Sequence, residues 1–306
     1  MSFQITDYPE AFELPPRASS MSAWLEHLPL APILVKILRP RVFVELGTHV
    51  GDSYLGFCHA VRGLGTGTQC TAIDTWKGDE HTGPYGPEIL RDLKALHDPI
   101  FGGFSRLLPS TFDAAAPGFA AGSIDLLHID GMHTYEAVRH DYENWLPKMS
   151  SRGVILFHDT AERTGDFGVW KLWEEVSADK PSANLPHGHG LGILCVGSEM
   201  PAEMLAFIRE LNGNPGLVKI LQSLGANVML LSRFANAMGY EFQCQMLVNE
   251  WRKRTGQPSA FPAMDFNAAV AQPDVFGQVL VGSVQQLVQD GLNLASEVMR
   301  SRGAKP

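Results

Sequence analysis

Short apolar runs alternate with amphipathic stretches through residues 20–200. Residues 20–38 carry one helical stripe of Trp24, Leu25, Leu28, Ile33, Leu34 and Ile37, with Pro29 and Pro32 placed to break or kink it. Residues 41–46, bounded by Pro40 and Gly47, read as a buried strand, and 52–61 as the helix that follows. A second strand at 70–73 closes at Asp74. A Gly/Pro-rich loop (75–87) then leads to a helix at 88–97. Residues 104–108 form a weak third strand, 124–129 a strong fourth and 154–157 a fifth, with a helix at 134–145 between the last two. A helix at 167–176 precedes an apolar strand at 191–196, the only strand evident after the fifth. This alternation predicts βαβ units: an α/β, doubly wound, mostly parallel sheet.

From residue 201 the pattern becomes helical, at 201–211, 225–252 and 276–300. The last of these aligns Val279, Leu280, Val284, Leu287, Val288, Leu292, Ala295 and Met299 on one broad face, while Pro258, Pro262 and Pro273 make 257–273 a loop. The expected organisation is an N-terminal helical segment (1–40), a catalytic domain (41–200) and a helical C-terminal extension (201–306). The apolar tail helices suit a homodimer.

Composition narrows the class. A net charge of -9 with no block of like charges argues against wrapping a nucleic-acid backbone. No segment approaches the ~20 apolar residues of a membrane span, and no basic region precedes an apolar core near Met1. Cys58, Cys70, Cys195 and Cys244 lack metal-ligand spacing and read as buried thiols of a reducing compartment. The expectation is a cytoplasmic protein.

In a parallel sheet, ligands bind outside the carboxyl ends of the strands. The first strand runs out through Glu45, Leu46, Gly47, Thr48, His49, Val50, Gly51, Asp52 and Ser53. Gly47 permits a tight turn close to a ligand, and Gly51 opens a helix whose N-terminus favours an anionic group. Asp74, at the end of the second strand, can accept both hydroxyl protons of a ribose. His49 stands where a dinucleotide fingerprint has its second glycine, so a purely structural turn is the competing account of this motif.

The fourth strand ends at Asp130 and the fifth at His158-Asp159. Neighbouring parallel strands lie ~4.8 Å apart, and two carboxylates that close repel unless something positive sits between them. A hard divalent cation held by Asp130 and Asp159, with His158 as third ligand, answers this. His133, three residues beyond Asp130, is placed as a general base. Helix or turn capping is the alternative for each acid, and a satisfied strand-end histidine the alternative for His158.

The segment 45–53 resembles the E-x-G-x-x-x-G-x-S motif of catechol O-methyltransferase-like enzymes. Ile129 to Glu136 (I-D-G-x-H-x-Y-E) and Gly153 to Asp159 (G-x-x-x-x-H-D) are similar to a bacterial class I methyltransferase family related to macrolide-sugar O-methyltransferases and cephalosporin hydroxylase-like proteins. The resemblance implies a Rossmann-like class I fold binding S-adenosyl-L-methionine and Mg2+ or another divalent cation. It implies that Gly47, Thr48, Gly51 and Ser53 surround the methionine part, and that Asp74 meets the ribose. Ser110 is then near the adenine, with Glu45 and Asp130 also among the cofactor-binding residues. It further implies Asp130 and Asp159 as the metal-binding acids and His133 as the base. The expected acceptor is a hydroxyl of a small molecule or glycan, a sugar hydroxyl first. A metal-dependent hydrolase or oxygenase on the same fold, and a non-catalytic methyltransferase-like module in a glycan-assembly complex, are the competing functions. The tail from 201 lies outside the resemblance.

Overall fold

The computed structural model of this chain describes residues 3–13, 19, 22–230 and 232. The predicted helix beyond residue 232, the helix at 276–300, the 257–273 loop and Cys244 lie outside them. No helix among the described residues is long and apolar enough to cross a membrane.

The strands are β1 (Val42–Leu46), β2 (Gln69–Asp74), β3 (Gly78–Asp79), β4 (Gly83–Pro84), β5 (Ser105–Pro109), β6 (Ile124–Ile129), β7 (Met149–His158), β8 (Ser182–Leu185) and β9 (Leu191–Cys195). The helices are α1 (Leu30–Leu38), α2 (Asp52–Leu64), α3 (Pro87–Phe101), α4 (Phe112–Ala115), α5 (Tyr135–Trp145), α6 (Val169–Ser177) and α7 (Ala202–Gly213). Residues 215–230 continue as helix. Seven strands form one sheet in the order β5-β2-β1-β6-β7-β9-β8, while β3 and β4 make a separate two-stranded ribbon. The pairs joining β5, β2, β1, β6 and β7 are parallel. β9 runs antiparallel to both β7 and β8. This is the doubly wound, mostly parallel α/β sheet that the alternation predicts.

The central strands are mostly apolar because both faces are covered, with Glu45 in β1 and Asp125 and His128 in β6 as buried polar exceptions. Every residue of β6 is buried. On one face Phe43, Leu126, Leu156 and Ile193 pack under Trp24, Leu34, Phe57 and Phe207. On the other, Val44, Leu127, Ile155 and Phe157 pack under Phe119, Trp145, Leu172 and Trp173. Phe207, Leu211, Leu221 and Val228 share the first of these cores, so the chain from 202 to 230 rests on the same sheet.

Three expectations are corrected. The single helix at 20–38 is a short 3-10 turn (Ala23–His27) followed by α1, with Pro29 at the helix cap; the two prolines divide it. A second strand does follow α6. β8, with the sequence Ser-Ala-Asn-Leu, is too short and too polar to show a period, yet it completes the antiparallel pair at the sheet edge. β7 begins at Met149, five residues before the predicted apolar run; its first residues, Met-Ser-Ser-Arg, show no apolar period and meet β6 across an irregular register.

The amino end of β6 is fixed by an ion pair between buried Asp125 and exposed Arg41. Asp125 accepts the Arg41 backbone N–H at 2.7 Å, its Nε at 3.0 Å and its Nη2 at 3.0 Å, and the Ser150 hydroxyl at 2.6 Å. Burial opposes the charge, but the Arg41 and Ser150 hydrogen bonds outweigh it and hold the carboxyl down at about 2. The folded value lies below the unfolded one, so its stabilisation is complete above about pH 4 and is lost as pH falls through that folded value. Asp125→Asn is expected to lower stability at neutral pH by about 2 kcal/mol and to flatten the acid limb of the stability curve. Urea unfolding between neutral pH and pH ~3 checks both.

Candidate active site

Strand order reverses at β1, whose neighbours are β2 on one side and β6 on the other. Chains leaving β1 and β6 therefore diverge around a crevice. Asp130 N–H donates to Leu46 O at 2.8 Å, tying the end of β6 to β1, while Gly47 N–H donates to Ile73 O at 2.9 Å, tying the end of β1 to β2. Gly47 has φ +85°, and a β-carbon there would stand 1.9 Å from the Asp130 carbonyl oxygen. The glycine is required by this backbone crossing, whatever a ligand also asks of it. Gly51, at φ +87°, caps α2.

A cavity of about 680 Å³ occupies the crevice, a size that suits a nucleotide-like ligand. Gly47, Thr48, Ser53, Asp74, Asp130, His133, His158 and Asp159 all line it. Asp74 organises its cofactor side: Oδ2 accepts the N–H groups of Thr48 and His49, both at 2.9 Å, and Oδ1 accepts Trp76 N–H at 2.7 Å. A carboxylate has about four lone-pair directions, so Asp74 has one left for a ligand hydroxyl, not the two a bidentate ribose contact needs. Thr48 Oγ1 is buried at the cavity wall with no hydrogen-bond partner. An orphaned hydroxyl there fits a polar ligand placed beside Asp74.

The other end holds the acids. Ile129 pairs with Phe157, which puts Asp130 level with His158 and Asp159 just beyond. Asp159 has φ +62°, a left-handed conformation uncommon for a residue with a side chain. His133 Nε2 lies 3.0 Å from Asp159 Oδ2 and 3.6 Å from Asp130 Oδ1. His158 Nδ1 lies 3.2 Å from Asp130 Oδ1 and 3.4 Å from Asp159 Oδ1. Ligand atoms of Asp130, His133 and Asp159 all come within 4.8 Å of one another.

Without a cation, the two imidazoles carry the balancing charge. Burial works against protonating His133, but hydrogen bonds from Asp130 and Asp159 outweigh it and raise its pKa to about 9. His158 is likewise raised: burial opposes it, and the Asp130 and Asp159 carboxylates prevail. Asp130 and Asp159 are correspondingly lowered, against their own burial, by His158 and His133. His158 Nε2 is 3.1 Å from the Gly188 carbonyl, which can only accept. Nε2–H therefore donates outward, and once the ring loses its other proton the Nδ1 lone pair faces both carboxylates. That donor set fits a hard divalent cation with mixed oxygen and imidazole ligands.

Three residues of the sequence-derived set lie elsewhere. Glu45 is fully buried behind the cavity, where Oε2 accepts His128 Nδ1–H at 2.9 Å and His128 Nε2 accepts the Trp24 indole N–H at 3.0 Å. Ser110 is not among the cavity-lining residues; its N–H donates to Asp74 O at 2.9 Å, and Thr111 and Phe112 line the wall instead. Gly51 sits behind the wall, against Leu93. Contributions that the sequence does not point to come from Phe167 and Glu162; the 76–87 loop, which the sequence places beside the cofactor as a lid or a surface loop, forms the β3–β4 hairpin and lines the same cavity. Trp76, at φ +50°, folds the hairpin back by donating its indole N–H to His49 O at 2.9 Å. Of the glycine-rich 185–192 segment, His189 lines the cavity, paired with Glu162 at 2.9 Å. Trp173 packs on Gly192 as core, and Trp170 lies beneath Arg163.

Residues 44–160 match the sequence family described as a methyltransferase domain. A curated relative, the uncharacterized protein y4gI of Sinorhizobium fredii, is 50% identical over 190 residues, covering 62% of this chain. This chain spans about a fifth (21%) of that relative's length. Among solved structures, a methyltransferase from Geobacter sulfurreducens aligns at 16% identity with a TM-score of 0.43, over 62% of this chain and 95% of that one. The O-methyltransferase TomG of Streptomyces achromogenes, in complex with SAM, aligns at 13% identity and 0.43, over 63% and 89%.

Gly47→Ala is expected to push the ends of β1 and β6 apart and to destabilise the protein by roughly 2–4 kcal/mol. Thermal and denaturant unfolding check it; unchanged stability would show that the crossing relaxes freely.

Proposed function

We propose that this chain is an S-adenosylmethionine-dependent, divalent-metal-assisted O-methyltransferase acting on a hydroxyl of a small molecule or glycan. The observation that carries this reading is the convergence of Asp130, His133, His158 and Asp159 at one end of a cavity whose other end is bounded by Thr48 and Asp74. The methyltransferase-domain match over 44–160 supports the reaction class. Asp79, Thr82, Glu162 and His189 add hydrogen-bonding groups to the same cavity, which suits a polyhydroxylated acceptor such as a sugar.

S-adenosylmethionine, when bound, supplies an electrophilic methyl carbon, and a divalent cation supplies charge that acidifies a nearby hydroxyl. Thr48 and Asp74 would orient the cofactor. Asp130 and Asp159 would hold the cation, with His158 Nδ1 facing the same point. Carboxylates so neutralised would no longer hold His133 protonated, and its ring would return toward its ordinary range. His133 Nε2 would then take the hydroxyl proton as the oxygen bonds to the methyl carbon and the carbon–sulfur bond breaks, S-adenosylhomocysteine being the leaving group.

His133→Ala is expected to lower kcat by roughly 10²- to 10⁴-fold with S-adenosylmethionine affinity retained, measured by radiolabelled methyl transfer and by calorimetry. Wild-type turnover in that variant would remove the residue from the chemistry. Asp130→Ala, or a chelator added to the wild type, is expected to abolish transfer. Full activity in chelator, restored by no metal because none was needed, would contradict the metal-assisted reading.

A further inference from the structure

His133 is embraced from its far side by groups that the chemistry above does not use. His81, in the turn between β3 and β4, places Nδ1 3.2 Å from His133 Nδ1 and Nε2 2.9 Å from Asp166 Oδ1. The two imidazole planes are within 8° of parallel at a centroid distance of 5.4 Å. With their Nδ1 atoms in hydrogen-bonding contact, the rings lie edge to edge. Phe167 stacks on both, 4.8 Å from each centroid and within 8° of each plane.

The turn that presents His81 is itself built. Asp79 Oδ1 accepts the N–H groups of His81 and Thr82 at 2.9 and 2.8 Å and the Thr82 hydroxyl at 2.8 Å. Gly78, at φ +76°, lets the ribbon close, since a β-carbon there would stand 1.8 Å from the Gly83 carbonyl oxygen.

For a neutral His81, proton bookkeeping along this chain has one solution. The Asp166 carboxylate accepts, so His81 Nε2 carries the hydrogen and donates it. His81 Nδ1 is then an acceptor, and His133 Nδ1–H must donate to it. Only Nε2 of His133 is left to face Asp130 and Asp159.

Resting on the methyltransferase reading of this site, we propose that His81, oriented by Asp166 and clamped by Phe167, is a positioning residue that fixes the ring orientation and tautomer of His133, so that Nε2 is the atom presented to the acceptor hydroxyl. A base whose proton-accepting atom is settled beforehand spends no turnover in the wrong tautomer or rotamer. The hairpin is thereby part of the catalytic apparatus, joined to the loop after β7 by the His81–Asp166 contact and to the base by the His81–His133 contact.

The test uses the 15N-labelled full-length protein without cofactor or acceptor. Wild type is expected to show a scalar coupling across the hydrogen bond between His133 Nδ1 and His81 Nδ1, and a His133 ring N–H slow to exchange with water. His81→Ala removes both signals. Asp166→Ala, a change at an exposed side chain that spares the fold, weakens them. His81→Asn offers an amide oxygen near the lost Nδ1 and keeps the ring N–H protected. In methyl transfer, His81→Ala is expected to lose roughly ten- to a hundredfold in kcat with KM for S-adenosylmethionine unchanged, and His81→Asn to recover most of it. No coupling in the wild type, or a ring N–H that exchanges equally fast in wild type and His81→Ala, overturns the proposal. Because those signals need no turnover, a wild type that transfers no methyl group would count against the enzymatic reading and leave the tautomer assignment standing.

Discussion

Two carboxylates carried to the ends of neighbouring strands repel each other, and the rest of the site is arranged around that repulsion. Asp130 and Asp159 cannot move apart, because β6 and β7 are hydrogen-bonded in parallel up to the residues just before them. Nor is water free to screen them, since Asp159 and His158 are buried and Asp130 is half-buried. Positive charge has to come from somewhere. His133 and His158 provide it as imidazolium when the acids stand alone, and a divalent cation provides it more compactly. The same geometry thus stores two proton-accepting imidazoles beside a cation site.

The acids of this cluster are aimed by backbone. Gly47 lets the end of β1 cross the Asp130 carbonyl. The amides of Thr48 and His49 then converge on Asp74 and form the wall that a cofactor would meet. Trp76 and His49 bring the β3–β4 hairpin over the opening. One crossing of two strand ends consequently sets the distance between the cofactor side and the acid side of a single cavity.

Much of this was legible in the sequence because the determinants are local. Apolar runs at 41–46, 124–129 and 154–157 mark the buried strands, and Asp74, Asp130 and His158-Asp159 follow them directly. The parts that were not legible depend on contacts between distant segments. β8 is a four-residue strand with a polar middle, defined only by its partner β9. Glu45 sits inside a strand that presents alternate side chains to opposite faces; the sequence shows its motif but not that Trp24 and His128 seal it away. His81 and Asp166 are separated by 85 positions and His81 and His133 by 52, so no spacing rule could link them. Asp74 shows a subtler limit: its position was plain, but the three amides that consume its lone pairs were not.

The most direct measurement is a crystallographic anomalous difference map of the protein soaked in Mn2+, collected at an energy where manganese scatters anomalously. The account predicts one strong peak between the Asp130 and Asp159 carboxylates, at oxygen distances of about 2.2 Å, with His158 Nδ1 directed toward it. A map with no peak there at millimolar Mn2+, while the two imidazoles keep their hydrogen bonds to the acids, would contradict it.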